Sequence, residues 1–446
     1  MIAALRQRNF ALLWVGQLIS LIGDWVLFIA LPFYVFDLTG STLATGGMFI
    51  ALTVPRLALG SVAGVFVDRW DRRRTMLAAD FARAGLLLLL LLVRSVDWLW
   101  LVYVVALAES AISQFFNPAK SAIIPRLVPD EHLLAANSLN SLSESLTRLV
   151  GPALGGLLFG VLGLSSVVYA DSVSYAVSGT LIALMTLAAT APAAGEGDTA
   201  AHAAATNWRA VWREWRAGLG LVLADRALAV LFLVMGTVMV GEGIVSVLLV
   251  VWVKEILHGG ATELGWLMTT QAIGGLAGGL LAARLGRAIA PARLIGVGAL
   301  LTGVFIIAIV STPTLAADLV LMALIGGPAV VTFVAIETLL QNLTEDRFRG
   351  RIFGALGTTM ALAQLVGMAL AGALGNPLGT LPVLDLTGAL YCVGGVLTLA
   401  LLGGALRESG VGSRESEVGG AQQSAISHQP SEGDLIADSR SLTPEH

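Results

Sequence analysis

Apolar stretches of about 20 residues follow one another along most of the chain, parted by short polar connections, and each is long enough to cross a hydrocarbon core of ~30 Å as a helix. Backbone groups in lipid must find their hydrogen bonds within the protein, so spans of this length are expected to be helices. The alternating apolar and polar pattern of a membrane β-barrel is absent. Charged residues make up 13% of the chain and hydrophobic residues 56%. The charged share is about half the ~25% typical of soluble domains, which argues against a soluble globule. The single cysteine, Cys392, lies in an apolar run. It precludes an internal disulfide framework and reads as a small buried hydrophobe.

Arg6 and Arg8 precede an apolar stretch from Phe10 to Phe36. That stretch is too long for a signal-peptide core and lacks a small-residue cleavage site, so it is expected to stay as helix 1. Hydropathy and turn residues place helices near 10–36, 44–67, 76–95, 98–123, 137–163 and 165–188, then near 227–251, 262–284, 292–311, 315–340, 352–376 and 382–405. The expected fold is an all-α membrane protein of twelve transmembrane helices in two parallel six-helix halves, 1–188 and 227–405. Between them, 189–226 forms a polar linker. It opens with an Ala/Gly-rich stretch around Glu196 and Asp198 and continues into Trp208, Arg209, Trp212, Arg213, Trp215 and Arg216. Tryptophan mixed with arginine suits a helix lying in the headgroup region rather than a nucleic-acid patch. The tail, 406–446, is rich in Ser, Glu and Gly and is expected to be disordered.

Of the 26 Lys and Arg, eighteen fall on one side of this arrangement, while the other side's loops hold Arg94 and Lys254. The positive-inside rule therefore puts both termini in the cytoplasm of a bacterial inner membrane. The arginine bias reads as genomic composition. A weak repeat with a period of 215 residues carries Gly64 to Arg72 onto Gly279 to Arg287, and Pro129-Asp130-Glu131 onto Thr344-Glu345-Asp346. An even number of helices per repeat makes the halves parallel, an arrangement that in transporters encloses a midplane site.

The segment Gly64-Val65-Phe66-Val67-Asp68-Arg69-Trp70-Asp71-Arg72-Arg73 resembles the loop 2–3 signature of the major facilitator superfamily. Gly64 is expected to allow close helix approach, Asp68 to pair with a basic group or a helix N-terminus, and the arginines to stay among headgroups. The resemblance implies that Gly64, Asp68, Arg69, Asp71, Arg72 and Arg73 latch the halves on the cytoplasmic side. The second half keeps Gly279, Arg284 and Arg287 but has Ala283 where an acid would stand. Helix 5 begins Arg148-Leu149-Val150-Gly151-Pro152-Ala153-Leu154-Gly155-Gly156, similar to the antiporter motif of drug:proton exchangers, with Thr147 replacing an earlier glycine. Gly151 and Gly155 permit backbone contact and Pro152 a bend. Arg8-Asn9-Phe10, Gly16-Gln17, Gly23-Asp24, Phe116-Asn117-Pro118, Gln341 and Arg349-Gly350-Arg351 resemble the macrolide-efflux and enterobactin-exporter branch. That resemblance spans about residues 5–405 and implies a major facilitator fold exporting an amphipathic small molecule by proton exchange.

Ionisable groups at membrane depth are functional candidates. At ~1.5 Å per residue, Asp24 lies roughly 21 Å into helix 1 and Glu109 roughly 16 Å into helix 4, both near the midplane. Arg56, after Pro55 in helix 2, is the expected counter-charge of Asp24. Glu109 lacks a basic neighbour in its own helix and is the expected proton carrier. Glu242 in helix 7, Asp171 in helix 6 and Glu337 in helix 10 are weaker candidates, each nearer a membrane edge, and of these Glu242 is counted with the cavity residues. No GxxxxGK[ST] loop, nucleophile arrangement, cofactor motif or metal-ligand spacing stands out. The expected partners are the lipid bilayer, protons and a small amphipathic substrate, with no nucleic acid and no required protein. A siderophore or lipid exporter of the same fold is the alternative cargo reading. A non-transporting receptor or an embedded enzyme is a more distant one.

Overall fold

The structure is a computed structural model that describes residues 2–186 and 208–408. The polar stretch around Glu196 and Asp198 and the tail from 409 onward lie outside the described residues. Those described form helix after helix with no strand. Ten helical runs have the length and apolar composition of a membrane span. One of them is really two. Within Leu133–Ala183, Gly163 takes φ 75° and ψ −177°, a conformation open to glycine and closed to other residues. Ala136 and Leu139 near the start of that run share a buried cluster with Ile182 and Met185 at its end, so the chain doubles back at Gly163. Ala261–Ala288, less apolar but of span length, completes twelve.

In chain order these are α1 Arg8–Thr39, α2 Thr42–Arg69, α3 Arg72–Leu87, α4 Leu99–Ile123, α5 133–162 and α6 164–183. After the linker helix Trp208–Ala224 come α7 Arg226–Val251, α8 Ala261–Ala288, α9 Pro291–Ser311, α10 Leu315–Leu343, α11 Asp346–Leu378 and α12 Thr380–Leu397. Sequence explains many boundaries. Gly40 ends α1 in the left-handed region, its N–H bonded to Phe36 O, and Ser41 caps α2 by accepting from Ala44 N. Asp71 and Asp225 cap α3 and α7 in the same way.

Helix pairing repeats between the first six helices and the last six. Gly155 of α5 meets Val26 of α1, and Gly367 of α11 meets Val240 of α7. Helix α2 packs on α4 as α8 packs on α10, and α3 on α6 as α9 on α12. Lipid gives little hydrophobic drive for helix association, so close backbone packing at small residues carries much of it. A Cβ at Gly274 would lie 1.8 Å from Ala323 O, and one at Gly303 2.6 Å from Gly388 O.

The linker helix lies against α11. Trp215 Nε1 donates to Thr359 Oγ1 at 3.3 Å, and a Cβ on Gly218 would stand 2.7 Å from Arg351 O. The helix docks on the protein through Trp215 and leaves Trp212 exposed.

The two sets of helices are joined at the end away from the arginine-rich loops. There Thr42 N and Oγ1 reach Asn376 Oδ1, Asn376 Nδ2 donates to Gly40 O at 3.2 Å, and Lys254 Nζ lies 2.5 Å from Asp37 Oδ1. Gly156 and Gly160 of α5 abut Ala261 and Thr262 of α8, and Gly46 abuts Gly372.

Candidate functional site

Asp24 is the seventeenth residue of the 32 in α1, and Glu109 is near the middle of α4. Both are half-buried and both meet one hydroxyl. Tyr175 of α6, fully buried, donates to Asp24 Oδ1 and lies 3.1 Å from Glu109 Oε1. Ser113, one turn beyond Glu109, donates to the same oxygen at 3.0 Å.

Arg83 of α3 reaches into this group. Its Nη1 donates to the Tyr175 hydroxyl at 3.3 Å and to Ser113 Oγ at 3.2 Å, and its Nη2 lies 2.6 Å from Asp80 Oδ1. The guanidinium also sits 4.1 Å from the Tyr175 ring centre and 4.7 Å from that of Phe116, where ring quadrupoles favour a cation. Asp24 and Glu109 both act electrostatically on it. Asp171, one turn before Tyr175, is fully buried and accepts from Ser174 Oγ at 3.1 Å. A Cβ on Gly23 would lie 2.2 Å from Asp171 Oδ1, so that glycine is what lets α1 close over the carboxylate. Asp80 Oδ2 and Asp171 Oδ2 are buried without a hydrogen-bond partner among the described residues. At membrane depth the guanidinium thus touches Asp80 and meets Asp24 and Glu109 through the Tyr175 and Ser113 hydroxyls, with Asp171 one turn from Tyr175 and Lys120 of α4 as a second cation within electrostatic reach of Asp24.

Three expectations change here. The structure does not bring Arg56 to Asp24: Arg56 is exposed on α2, which packs on α4, whereas the Asp24 side of α1 faces α6. Arg83 takes that place. Glu109 is not without a cation, since Arg83 reaches its hydroxyl partners, so the contrast drawn between Glu109 and Asp24 loses its basis. Asp171, placed near a membrane edge by its position in helix 6, is buried in the cluster. Asp80 and Arg83, three residues apart on one helix face, were the available signal for the pair.

Glu242 stands apart, on α7. Tyr391 of α12 donates to its Oε2 at 3.0 Å, and Arg148 of α5 acts on it from the first six helices. This repeats the Tyr175–Asp24 arrangement between the corresponding helices α6 and α1. Glu337 is half-buried on α10.

In the loop signature, Asp71 caps α3 by accepting from Arg74 N at 2.7 Å, and Arg73 Nε donates to Ile182 O at 3.1 Å, at the C-terminus of α6. Asp68 and Arg69 are exposed, and the side chains of Asp68, Arg69 and Arg72 make no hydrogen bond or ion pair with a described residue. Gly64 does not serve close approach: a Cβ there would meet nothing within 4 Å among the described residues. Gly151 and Gly155 do, with Cβ positions 2.4 Å from Trp25 Cβ and 2.7 Å from Val26 Cα, while Gly156 and the Pro152 carbonyl face α8. A cavity of about 620 Å³ beside the signature is lined by Arg69, Trp70, Asp71, Arg74 and Phe115, with none of the membrane-depth carboxylates. No group of three or more His, Cys, Asp or Glu among the described residues has the arrangement to hold a metal ion.

Comparison with known proteins agrees with this architecture. Macrolide efflux protein A of Streptococcus pyogenes is 27% identical over 375 residues, covering 83% of this chain and 90% of that protein. Enterobactin exporter EntS of Citrobacter koseri is 25% identical over 406 residues, covering 88% and 92%. In fold, the chain resembles the crystal structure of a bacterial homologue of the iron transporter ferroportin in an inward-facing state, with a TM-score of 0.69 at 16% identity over 89% of this chain and 98% of that one. The profile of the transmembrane secretion effector family matches residues 1–415, and the chain therefore belongs to that family of major facilitator transporters.

Proposed function

We propose that this transporter exports amphipathic, drug-like small molecules in exchange for protons. The observation that carries the reading is the mid-depth group of Asp24, Asp80, Glu109 and Asp171 around Arg83. Carboxyl groups in excess of their counter-charge, at a depth where ionised groups are costly, are suited to taking up and releasing a proton. Asp24 and Glu109, half-buried, are the members that exchange it, and Arg56 and Glu242 border the path of the cargo. The halves 1–188 and 227–405 rock about this site, with 189–226 as the tether. Both termini face the cytoplasm, in keeping with the arginine-rich loops, so the end now closed is the outer one. Asp68, Arg69 and Arg72 latch the inner end when the halves tilt the other way, Gly64, Asp71 and Arg73 shape that loop, and Arg148 through Gly156 seals the outer side.

Similarity to macrolide efflux protein A supports an apolar, bulky cargo. An anionic siderophore is the second reading, supported by similarity to EntS, though the excess of carboxyls over cations in the cluster disfavours an anion. Inverted membrane vesicles holding the protein should accumulate a radiolabelled macrolide when their lumen is made acidic, and lose it when the gradient collapses. Accumulation indifferent to the gradient would remove proton exchange, and uptake of enterobactin alone would favour the second cargo.

A further inference from the structure

The Tyr175 hydroxyl has one hydrogen and two carboxylate oxygens within reach, Asp24 Oδ1 and Glu109 Oε1. A phenol donating to Asp24 presents lone pairs to Glu109. Two oxygens 3.1 Å apart then need a hydrogen between them, and in that arrangement it belongs to Glu109. Arg83 Nη1, 3.3 Å from the same phenolic oxygen, donates to it and holds it between the two carboxyls. The side chain is fully buried with its ring against the guanidinium, so it has little freedom to serve the two acids in turn by swinging between them.

We infer that Tyr175 is the proton relay between Glu109 and Asp24, an assignment that rests on the proton-exchange reading above. In the relay step the Glu109 O–H bond breaks and its proton passes to the phenolic oxygen, while the phenolic O–H bond breaks and its proton passes to Asp24. Tyr175 begins and ends neutral, and the net change is one proton moved from Glu109 to Asp24. Rotation of the phenolic hydrogen resets the path. The charged and titratable groups facing it are Asp24 from α1, Arg83 from α3, Glu109 from α4 and Asp171 on its own helix, with Asp80 paired to Arg83 and Lys120 of α4 acting on Asp24 and Arg83 behind them. Arg83 stays charged throughout and stabilises whichever carboxyl has just given up the proton.

The test replaces Tyr175 with Phe in purified protein reconstituted into liposomes. It keeps the ring over Arg83 and removes only the hydroxyl. With an imposed pH gradient and a radiolabelled macrolide, Tyr175→Phe should lower the maximal uphill rate by tenfold or more with KM unchanged. Its downhill exchange without a gradient should persist, and its rate should no longer follow pH as the wild type does. A wild type driven by the gradient alongside a Tyr175→Phe variant of equal rate and pH profile overturns the relay and leaves proton exchange standing. A wild type that ignores the gradient overturns both. Should Tyr175→Phe fail to accumulate, the wild-type rate in mixtures of light and heavy water decides. A curved dependence on deuterium content reports two hydrogens moving together, and a straight one overturns the relay.

Discussion

Arg83 brings a permanent charge into the packed interior of the first six helices, where its exposure is 4% and that of Asp80 is nil. Such a pair is weak evidence for stability, because desolvation offsets the attraction, yet removing one partner strands the other and costs about 3–5 kcal/mol. Arg83→Ala should therefore lower the melting temperature of the detergent-solubilised protein sharply, and a double Asp80→Asn, Arg83→Gln variant should recover part of the loss. A double variant no more stable than the single one would mean that the ring contacts with Phe116 and Tyr175, not the charges, hold Arg83. The sequence made the carboxyls visible and hid their counter-charge. Asp24 and Glu109 stood out because charges are rare at that depth, but the search for a cation favoured the neighbouring α2. Only tertiary packing tells that Asp24 looks toward α6 and so toward Arg83. Asp171 was misjudged for a related reason: position along a helix measures depth but not which face is covered, and Gly16 and Gly23, two turns apart on α1, mark the face against which α6 closes.

At the scale of elements, glycine contacts and ion pairs contribute very unequally to the closed end. Lys254 and Asp37 are about half exposed, with side-chain exposures of 41% and 48%, and pairs of that kind give roughly 0–1 kcal/mol. Gly156, by contrast, has Ala261 O only 2.2 Å from where its Cβ would be. A side chain there cannot be accommodated without moving α8. Gly156→Val should open this end, lengthening the distance between spin labels at Val96 and Leu378 in a Cys392→Ser background, whereas Asp37→Asn should change it little. Equal distances in all three proteins would show that the seal lies elsewhere. The helices themselves were legible, down to the break between the fifth and sixth at 163, because span length and turn residues are local properties. Contacts between distant helices were legible only where a motif fixed them, as at Gly151 and Gly155. The motif glycine at 64 misled, since a position suited to close packing does not ensure that a neighbour is there.

For the molecule as a whole, the lack of a partner for the Asp68 side chain among the described residues is informative because the opposite end is closed. A contact formed in only one of two conformations shifts their balance without contributing to the other. Asp68→Asn should leave the melting temperature of this conformation nearly unchanged, as surface changes within about 0.5 kcal/mol do, and should lower transport severalfold at equal protein level. Normal transport would reduce the loop to a topological signal. Reporter fusions after Arg73 and at the C-terminus should both read cytoplasmic; external readings at both would reverse the orientation assigned to the transport cycle, and an external reading at one alone would overturn the twelve-helix arrangement.

The turn at Gly163 gives these scales a common mechanical consequence. Helix–helix connections in bundles usually run to about 2–8 residues, whereas α5 passes into α6 through a single glycine. The connection has no slack. Helix α5 bears on α8 through Gly156 and Pro152, and α6 carries Asp171 and Tyr175, so a tilt imposed at the seam between halves would reach the carboxyl cluster as displacement, with no loop to absorb it. Lengthening that joint by three flexible residues should spare cargo binding while letting protons leak without cargo, because the lever would have been given play.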